Sequence, residues 1–134
     1  MLRCEICGRS ADKHHIIHRC EGGINHQINI KYLCEEHHRG SKGPHKSIEI
    51  DLKYKLELQY KLMKIFNKDF YNMDKICEKL DIKLAVVKRL MKDFKLYKQG
   101  YKSQDIIFAF MGKKLYSEDM LEYYCDFVPV YNFV

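Results

Sequence analysis

Two pairs of potential metal ligands near the N-terminus constrain most strongly what this chain can fold into. Cys4 and Cys7 form a C-x2-C pair, and Cys34 and His37 form a C-x2-H pair at the start of a predicted helix. Two thiolates at a tight turn can take two corners of a tetrahedron, and the second pair supplies the other two. Residues 1–46 are also too few to bury a sufficient core without a metal or disulfides. We therefore predict a structural Zn²⁺ bound by these four side chains.

The composition favours metal-bound or buried thiols over disulfides. The chain has 134 residues, enough for one ordinary domain or two very small ones, and six cysteines. Its longest apolar run, residues 106–111, is far shorter than the roughly 20 residues of a membrane span. The first residues, MLRCEICGRS, lack the apolar stretch of a secretory signal. We therefore expect a cytosolic protein, where disulfides are rare. Cys20 has no partner at ligand spacing and could at most replace one zinc ligand.

The charged residues are unevenly distributed along the chain. All seven histidines lie within residues 1–46, whereas residues 73–102 hold nine Lys and Arg against four Asp and Glu. Residues 103–134 hold two lysines and five acids. The basic segment suggests a polyanionic partner, although a basic solvated face also occurs on many proteins that bind none.

Residues 48–66 carry two competing periodicities. Apolar side chains alternate from Ile48 to Leu62, as in a strand, but a strand of that length would extend about 50 Å. The intervening residues are mostly good helix formers, and apolar residues also recur at i, i+4 spacing. We predict a helix over residues 48–66 in a connecting segment at 47–68.

The next segment has the pattern of a helix-turn-helix. Asn72 is the predicted N-cap of a helix from Met73 to about Leu80, and a second helix is predicted from Leu84 to Phe94. The turn between them has Asp81 where a glycine is usual. The second helix is the candidate recognition element, with these residues facing DNA: Lys83, Lys88, Arg89 and Lys92. Two helices packed at an angle also occur in proteins that never bind DNA.

Three further elements are predicted towards the C-terminus. Residues 97–102, YKQGYK, predict a short hairpin or wing around Gly100. Ser103 is expected to cap a helix over residues 104–111 that Gly112 ends. Ser117 opens a last helix to about Cys125. The apolar tail FVPVYNFV is predicted to extend along the body of the protein, with a dimer contact as the alternative.

The N-terminal segment contains more histidines than one structural zinc requires. Between the two ligand pairs lie HHI at residues 14–16, Gly22-Gly23 and Asn29, and LCEEHH follows at residues 33–38. Residues 4–40 resemble the HNH endonucleases of the ββα-metal, or His-Me finger, group. The pattern of that group is CxxC, then an acidic residue or His followed by His and an aliphatic residue, then a GG turn, and then an Asn before LCxxCH. The same elements occur here in the same order, over less than a third of the chain.

The resemblance implies a role for each of these residues. His15 would be the general base that deprotonates the attacking water. His14, where Asp is commoner, and His38 would bind the catalytic cation. Asn29 would orient His15 or its loop, or, as in some relatives, reach the metal itself. The structural zinc positions match Cys4, Cys7, Cys34 and His37, the last standing where a fourth Cys is commoner.

Phosphodiester hydrolysis itself requires these residue types. Imidazole titrates near neutrality, as a general base should, and a divalent cation offsets the charge that develops on the phosphorane. We expect one catalytic ion, Mg²⁺, Mn²⁺, Ni²⁺ or Zn²⁺, because no carboxylate pair accompanies His14 and His38. The nearby acids lack the spacing to bridge two metals: Asp12, Glu35 and Glu36.

The remaining histidines and basic residues of residues 1–46 have weaker assignments. His18 and His26 are candidate phosphate contacts rather than ligands, and His45 is a third metal ligand only as an alternative. Further candidates for phosphate contacts are Lys13, Arg19, Lys31, Arg39 and Lys42.

Together these observations predict an α+β, mostly helical protein in three parts. They are a zinc-stabilised HNH finger at residues 1–46, a connecting helix at 47–68 and a helix-turn-helix-like DNA-binding part at 69–134. We expect a metal-dependent endonuclease that nicks or cuts double-stranded DNA, with a layout similar to small phage and homing-type nucleases, in the cytoplasm of a bacterial or phage-infected cell. A non-catalytic zinc module that binds DNA or a protein is the alternative. RNA also remains open as a substrate, since the group includes ribonuclease-like toxins. A double-strand cut by one finger would require a homodimer or sequential nicking.

Overall fold

The computed structural model describes residues 2–122, which form an α+β structure with two small antiparallel sheets. In chain order the elements are β1 (Asp12–His15), β2 (Ile30–Leu33), α1 (Glu35–Arg39), α2 (Ile48–Ile65), β3 (Phe70–Tyr71), α3 (Met73–Leu80), α4 (Leu84–Met91), β4 (Tyr101–Lys102) and α5 (Ser103–Phe110). Short 3-10 turns lie at Arg19–Glu21 and Gln27–Asn29 between the first two strands. None of the helices in residues 2–122 is long and apolar enough to span a bilayer.

The first two strands and α1 follow one another as a hairpin and a short helix. β1 pairs with β2 in a register that sets His14 opposite Lys31 and His15 opposite Ile30. Helix α1 begins directly after Cys34, which is its N-cap. The helix predicted at the second ligand pair is therefore confirmed.

Helix α2 explains the two periodicities of its sequence. The predicted helix is confirmed, and it begins after Ser47, whose hydroxyl accepts a hydrogen bond from the Ile50 N–H. Tyr54 packs against a small cluster beside β2, whereas Leu58 and Leu62 enter the main core. Because more than one side of the helix is buried, its apolar residues do not form the single stripe of a surface helix.

The two helices predicted on either side of Asp81 are present, and the second ends earlier than predicted. The Asn72 side chain caps α3 by accepting from the Lys75 N–H at 2.8 Å, and Asp81 adopts the left-handed conformation with φ of 51°. The predicted end of α4 at Phe94 is wrong, because the helix stops at Met91. The chain turns there, and the Phe94 ring packs edge-on against Phe108 of α5.

The segment after α4 contains the predicted tight turn, but its strand pairs with a different part of the chain than predicted. Tyr97 and Gly100 close a tight turn through two backbone hydrogen bonds, but β4 pairs with β3, a strand that the sequence patterns did not indicate. Gly100 has φ of 122°, and a Cβ there would collide with the Tyr71 carbonyl oxygen.

The predicted cap of α5 is also wrong. Ser103 is the first helical residue, Lys102 is the N-cap, and no side chain caps the helix. The Ser103 N–H instead donates to the Asp69 carbonyl oxygen at 2.9 Å, so the helix starts directly from the strand pair. A further helix begins at residue 118. Its predicted end and the predicted apolar tail lie outside the described residues.

One hydrophobic core joins the N-terminal hairpin to the helices. Ile16, Ile17 and Ile24, from the connection between β1 and β2, are buried in the same cluster as the apolar residues of α2 to α5. The backbone of Gly112 also approaches the Glu21 carbonyl oxygen so closely that a Cβ would not fit. The hairpin and the helices therefore depend on each other for burial.

Candidate functional site

Four side chains near the N-terminus form a cluster that could hold a metal such as zinc. Their ligand atoms, on Cys4, Cys7, Cys34 and His37, all lie within 4.8 Å of one another. Cys7 Sγ is 3.6 Å from Cys34 Sγ, and His37 Nδ1 is 3.6 Å from Cys4 Sγ and 3.3 Å from Cys34 Sγ. Ligands at ordinary Zn–S and Zn–N distances in a tetrahedron lie about 3.5–3.8 Å apart. The spacing of this cluster therefore suits tetrahedral zinc.

Local structure positions these four ligands. Cys4 and Cys7 lie on a tight turn in which the Gly8 N–H donates to the Cys4 carbonyl oxygen at 2.9 Å. Cys34 and His37 lie at the N-terminal end of α1, so that one helical turn brings both towards the thiols of the turn. The Glu5 N–H donates to the Tyr32 carbonyl oxygen, which ties the turn to β2.

The surroundings lower the pKa of two thiols of the cluster, Cys4 and Cys7. At Cys34 the His37 N–H lowers the pKa, but burial and the thiols of Cys7 and Cys4 outweigh it and raise the pKa. Burial alone would raise the pKa of Cys4, but backbone N–H groups of Cys34, Cys7 and Ile6 lower it to about 6. The Arg9 guanidinium, 3.3 Å from Cys7 Sγ, lowers the pKa of that thiol. Since the thiolate is the metal-binding form of cysteine, both shifts favour metal binding near neutral pH.

A second group of histidines lines a cleft of about 230 Å³ beside the hairpin. We call it the histidine cleft, and its lining residues are Lys13, His14, His15, His18, Arg19, His38, Arg39 and His45. It brings together the end of β1, the residues that follow it, the end of α1 and the loop before α2. The three cationic side chains at its edge would attract an anionic ligand.

Three of these histidines are close enough to share a cation. His14, His38 and His45 each place a ligand atom within 4.8 Å of the others. His14 is 1% exposed, and its Nε2 is buried without a hydrogen-bond partner. His38 Nε2 lies 2.8 Å from His45 Nε2. An unpartnered buried imidazole nitrogen beside two others fits a metal ligand set of the His₃ type.

The three imidazoles are neutral at physiological pH, which is the form that binds metal. Burial, followed by the neighbouring His38 and His45, lowers the pKa of His14 to about 3. Burial and the Arg39 charge lower the pKa of His38 to about 4. The pKa of His45 is lowered as well, mainly by burial and by His18.

The predicted general base lies in the same cleft. His15 is half-buried, and its Nε2 is 3.2 Å from the Asn25 side-chain oxygen. This contact orients the imidazole, and Asn25 itself is exposed.

Asn29 holds the loop rather than the cleft. Its buried amide oxygen accepts from the Ile17 N–H at 2.8 Å, and its amide nitrogen donates to the carbonyl oxygens of Ile17 and Ile24 at 3.0 and 2.9 Å. Of the roles that the resemblance implies for Asn29, orientation of the loop next to His15 is the one consistent with these contacts. Gly23 belongs to the same arrangement, because a Cβ there would collide with the Ile17 carbonyl oxygen.

We expect Asn29→Ala to destabilise the protein by at least ~2 kcal/mol, because it leaves three buried backbone groups without partners. Asn25→Ala is the matched control: the side chain is exposed, and its loss should change stability by less than ~0.5 kcal/mol. Urea unfolding of the two variants measures the difference. Equal stability of the two variants would contradict this role of Asn29.

The other basic candidates divide into two groups. Lys13, Arg19 and Arg39 line the histidine cleft and are exposed. Lys31 is 8% exposed, and its ammonium is engaged in ion pairs with Glu57 and Glu5. Lys42 does not line the cleft. Cys20 is exposed and lies outside both ligand clusters.

The four basic residues at α4 are all exposed. Lys83 and Arg89 line a groove of about 370 Å³ together with Asn25 and His26 of the β1–β2 connection. His26 Nε2 is 3.1 Å from the Asp81 carbonyl oxygen, which holds that connection against the turn before α4. Because Asn25 also contacts His15, this basic groove adjoins the histidine cleft.

Sequence reasoning did not find the residues that contact the histidines of the cleft from outside its lining. Asp51 lies in the first turn of α2, with its Oδ1 3.2 Å from His18 Nε2, and nothing in its local sequence marks it as different from other acids of that helix. Asn25 likewise stands in no recognisable spacing to His15. Both are brought to the cleft by tertiary packing alone.

Comparison of the chain with protein-family models, with curated proteins and with solved structures finds no match.

Proposed function

We propose that this protein is a metal-dependent HNH endonuclease that hydrolyses phosphodiester bonds in double-stranded DNA. The observation that carries the proposal is the meeting of His14, His38 and His45 in one cleft that His15 also lines. The order of hairpin and helix supports it, since that order presents His14 and His15 at the end of β1 and His38 from α1.

Each side chain of the cleft has a role in this mechanism. His14 and His38, with His45 as third ligand, would hold the catalytic cation, which supplies charge stabilisation at the phosphate and assists departure of the 3′-oxygen. His15 takes the proton of the attacking water, oriented by Asn25, while Asn29 keeps the loop in place. Cationic side chains at the edge attract the phosphate backbone: Lys13, Arg19 and Arg39.

The basic groove extends the proposed DNA interface from the cleft to α4. In this proposal α3 and α4 act as a helix-turn-helix unit, supported by the Asn72 cap, the left-handed Asp81 and the exposed basic residues of α4. DNA that enters the histidine cleft would pass Lys83 and Arg89 before it reaches the outer residues Lys88 and Lys92.

Plasmid nicking tests the proposed activity directly. The zinc-loaded protein, dialysed free of other ions, is mixed with supercoiled plasmid alone and with Mg²⁺, Mn²⁺ or Ni²⁺. We expect nicked or linear product only when a divalent ion is added, and slower cleavage of an RNA of equal length. If no ion supports cleavage of DNA, the non-catalytic zinc module becomes the better hypothesis. Cleavage of RNA but not of DNA would mean that the protein is a phosphodiester hydrolase whose substrate is RNA.

Removal of the basic side chains at α4 should weaken DNA binding and its salt dependence. The test variant replaces four residues together with Ala: Lys83, Lys88, Arg89 and Lys92. The slope of log K against log [salt] is negative, and its magnitude should fall by about 3 to 4, since each phosphate contact contributes about 0.9. Anisotropy of a labelled duplex, titrated with the full chain at several salt concentrations, measures the slope.

A control variant that loses the same number of positive charges separates the effect of DNA contacts at α4 from the effect of net charge. Four exposed lysines away from the cleft and the groove are suitable: Lys61, Lys64, Lys68 and Lys114. Their replacement should change the slope much less. Equal slopes for the two variants would mean that α4 is not the DNA-binding helix.

A further inference from the structure

A second group of ligand atoms shares His14 with the His₃ group. His14, His18 and Asp51 each place one ligand atom within 4.8 Å of the others. His18 follows β1, and Asp51 comes from α2, so the group joins two distant parts of the chain. It places a carboxylate beside His18, which lines the histidine cleft.

Within residues 2–122 the atoms of this second group make no hydrogen bond elsewhere, and two of them form an ion pair, in which His18 Nε2 lies 3.2 Å from Asp51 Oδ1. Within residues 2–122, the buried side-chain N and O atoms without a hydrogen-bond partner are His14 Nε2, His18 Nε2 and Asp51 Oδ1. Because buried polar atoms normally have a partner, three such atoms in one place, of which only two contact each other, indicate a shared ligand. Two imidazole nitrogens and a carboxylate oxygen together suit a cation. His38 Nε2 and His45 Nε2 likewise contact each other, at 2.8 Å, so His14 is the member of both groups whose Nε2 has no partner.

The surrounding charges leave Asp51 able to bind that cation. Its other oxygen, Oδ2, accepts from Lys55 Nζ at 2.8 Å, and Lys55 also donates to Glu21 Oε2 at 2.8 Å. The two carboxylates and one ammonium sum to one negative charge. This ion-pair network fixes the rotamer of Asp51, and its Oδ1 remains directed towards His18.

We propose that the histidine cleft contains two overlapping cation positions that share His14 and select different ions. The position of His14, His38 and His45 suits Zn²⁺ or Ni²⁺, because these ions bind imidazole well. The position of His14, His18 and Asp51 suits Mn²⁺, for which a carboxylate ligand is preferred. In this proposal both positions use His14 Nε2, the buried nitrogen without a partner, so occupation of one position excludes the other. This inference rests on the cation site of the proposed function and names the residues that choose its ion.

Metal binding to the full chain, with zinc retained in the cysteine cluster, tests the two positions. Mn²⁺ binding is followed by the electron paramagnetic resonance signal of free Mn²⁺, and Ni²⁺ binding by calorimetry. Asp51→Asn should weaken Mn²⁺ binding about tenfold or more and change Ni²⁺ binding by less than about threefold. His45→Gln should weaken Ni²⁺ binding about tenfold or more and change Mn²⁺ binding by less than about threefold.

A second variant separates the loss of a metal ligand from the effects of misfolding. Asp51→Asn alters the pair with Lys55, whereas His18→Gln leaves both Lys55 contacts in place, and it should also weaken Mn²⁺ binding selectively. Circular dichroism and zinc content report whether each variant is folded.

The outcomes separate this inference from the proposed function. If Asp51→Asn and His45→Gln weaken both ions in parallel, the cleft has a single position and the inference is wrong. It is also wrong if Asp51→Asn and His18→Gln leave Mn²⁺ binding unchanged. If neither ion binds the wild-type cleft, the cation-dependent function fails as well. Selective effects on the two ions without DNA cleavage would support the two positions and reject only the nuclease.

Discussion

His15→Ala should lower the rate of DNA cleavage by roughly 10²–10⁴-fold, the usual contribution of a general base. The side chain is half-buried, and its ring nitrogen Nε2 contacts the exposed Asn25. Its removal should therefore leave the zinc content, the melting temperature and DNA affinity close to those of the wild type. Plasmid nicking at saturating cation, with each of these three measurements in parallel, is the test.

His14→Ala and His38→Ala are the comparison variants for that experiment. They should also lose cleavage, but through weaker cation binding, because both side chains belong to the His₃ group. A higher concentration of the catalytic cation should partly restore activity in these two variants and should not restore it in His15→Ala. A His15→Ala variant that cuts at the wild-type rate would show that another residue is the base. If all three variants unfold, the histidines have a structural role and the non-catalytic module is favoured.

Cys34→Ser should remove the metal of the cysteine cluster and unfold at least the N-terminal hairpin. Structural zinc contributes roughly 10–16 kcal/mol in zinc-finger peptides, as much as the whole stability of an ordinary domain, about 5–15 kcal/mol. Zinc content and circular dichroism of the full chain, before and after chelation, measure the effect. The full chain is required because Ile16, Ile17 and Ile24 are buried against the helices and a 1–46 fragment would expose them.

Cys20→Ser is the matched control for the zinc site. Cys20 is an exposed thiol of the β1–β2 connection and lies outside the cluster. We expect the Cys20→Ser variant to have the zinc content and the melting temperature of the wild type. If Cys34→Ser behaves like Cys20→Ser, or if the purified protein contains no zinc, the cluster is not a structural metal site.

Local interactions explain which parts of the fold were predictable. The Asn72 cap, the turn at Asp81 and the helix that follows Cys34 each depend on contacts within a few residues, and each was predicted from neighbouring sequence. The end of α4 and the start of α5 were predicted wrongly. Phe94 packs on a distant ring, and the Ser103 N–H donates to a distant carbonyl, so neither is visible in local sequence.

The sequence by itself determined the ligand types and their spacing along the chain: the two ligand pairs of the cysteine cluster, the adjacent His14 and His15, and the basic stretch around α4. A ligand pair separated by two residues lies on one turn, so its geometry follows from local backbone structure. Only the tertiary structure decided that His45, His18 and Asp51 lie close to His14, that Lys31 is engaged in ion pairs, and that the hairpin shares its core with the helices. These relations connect residues up to several tens of positions apart, and their distances depend on how α2 packs against the β1–β2 connection, which no local periodicity encodes.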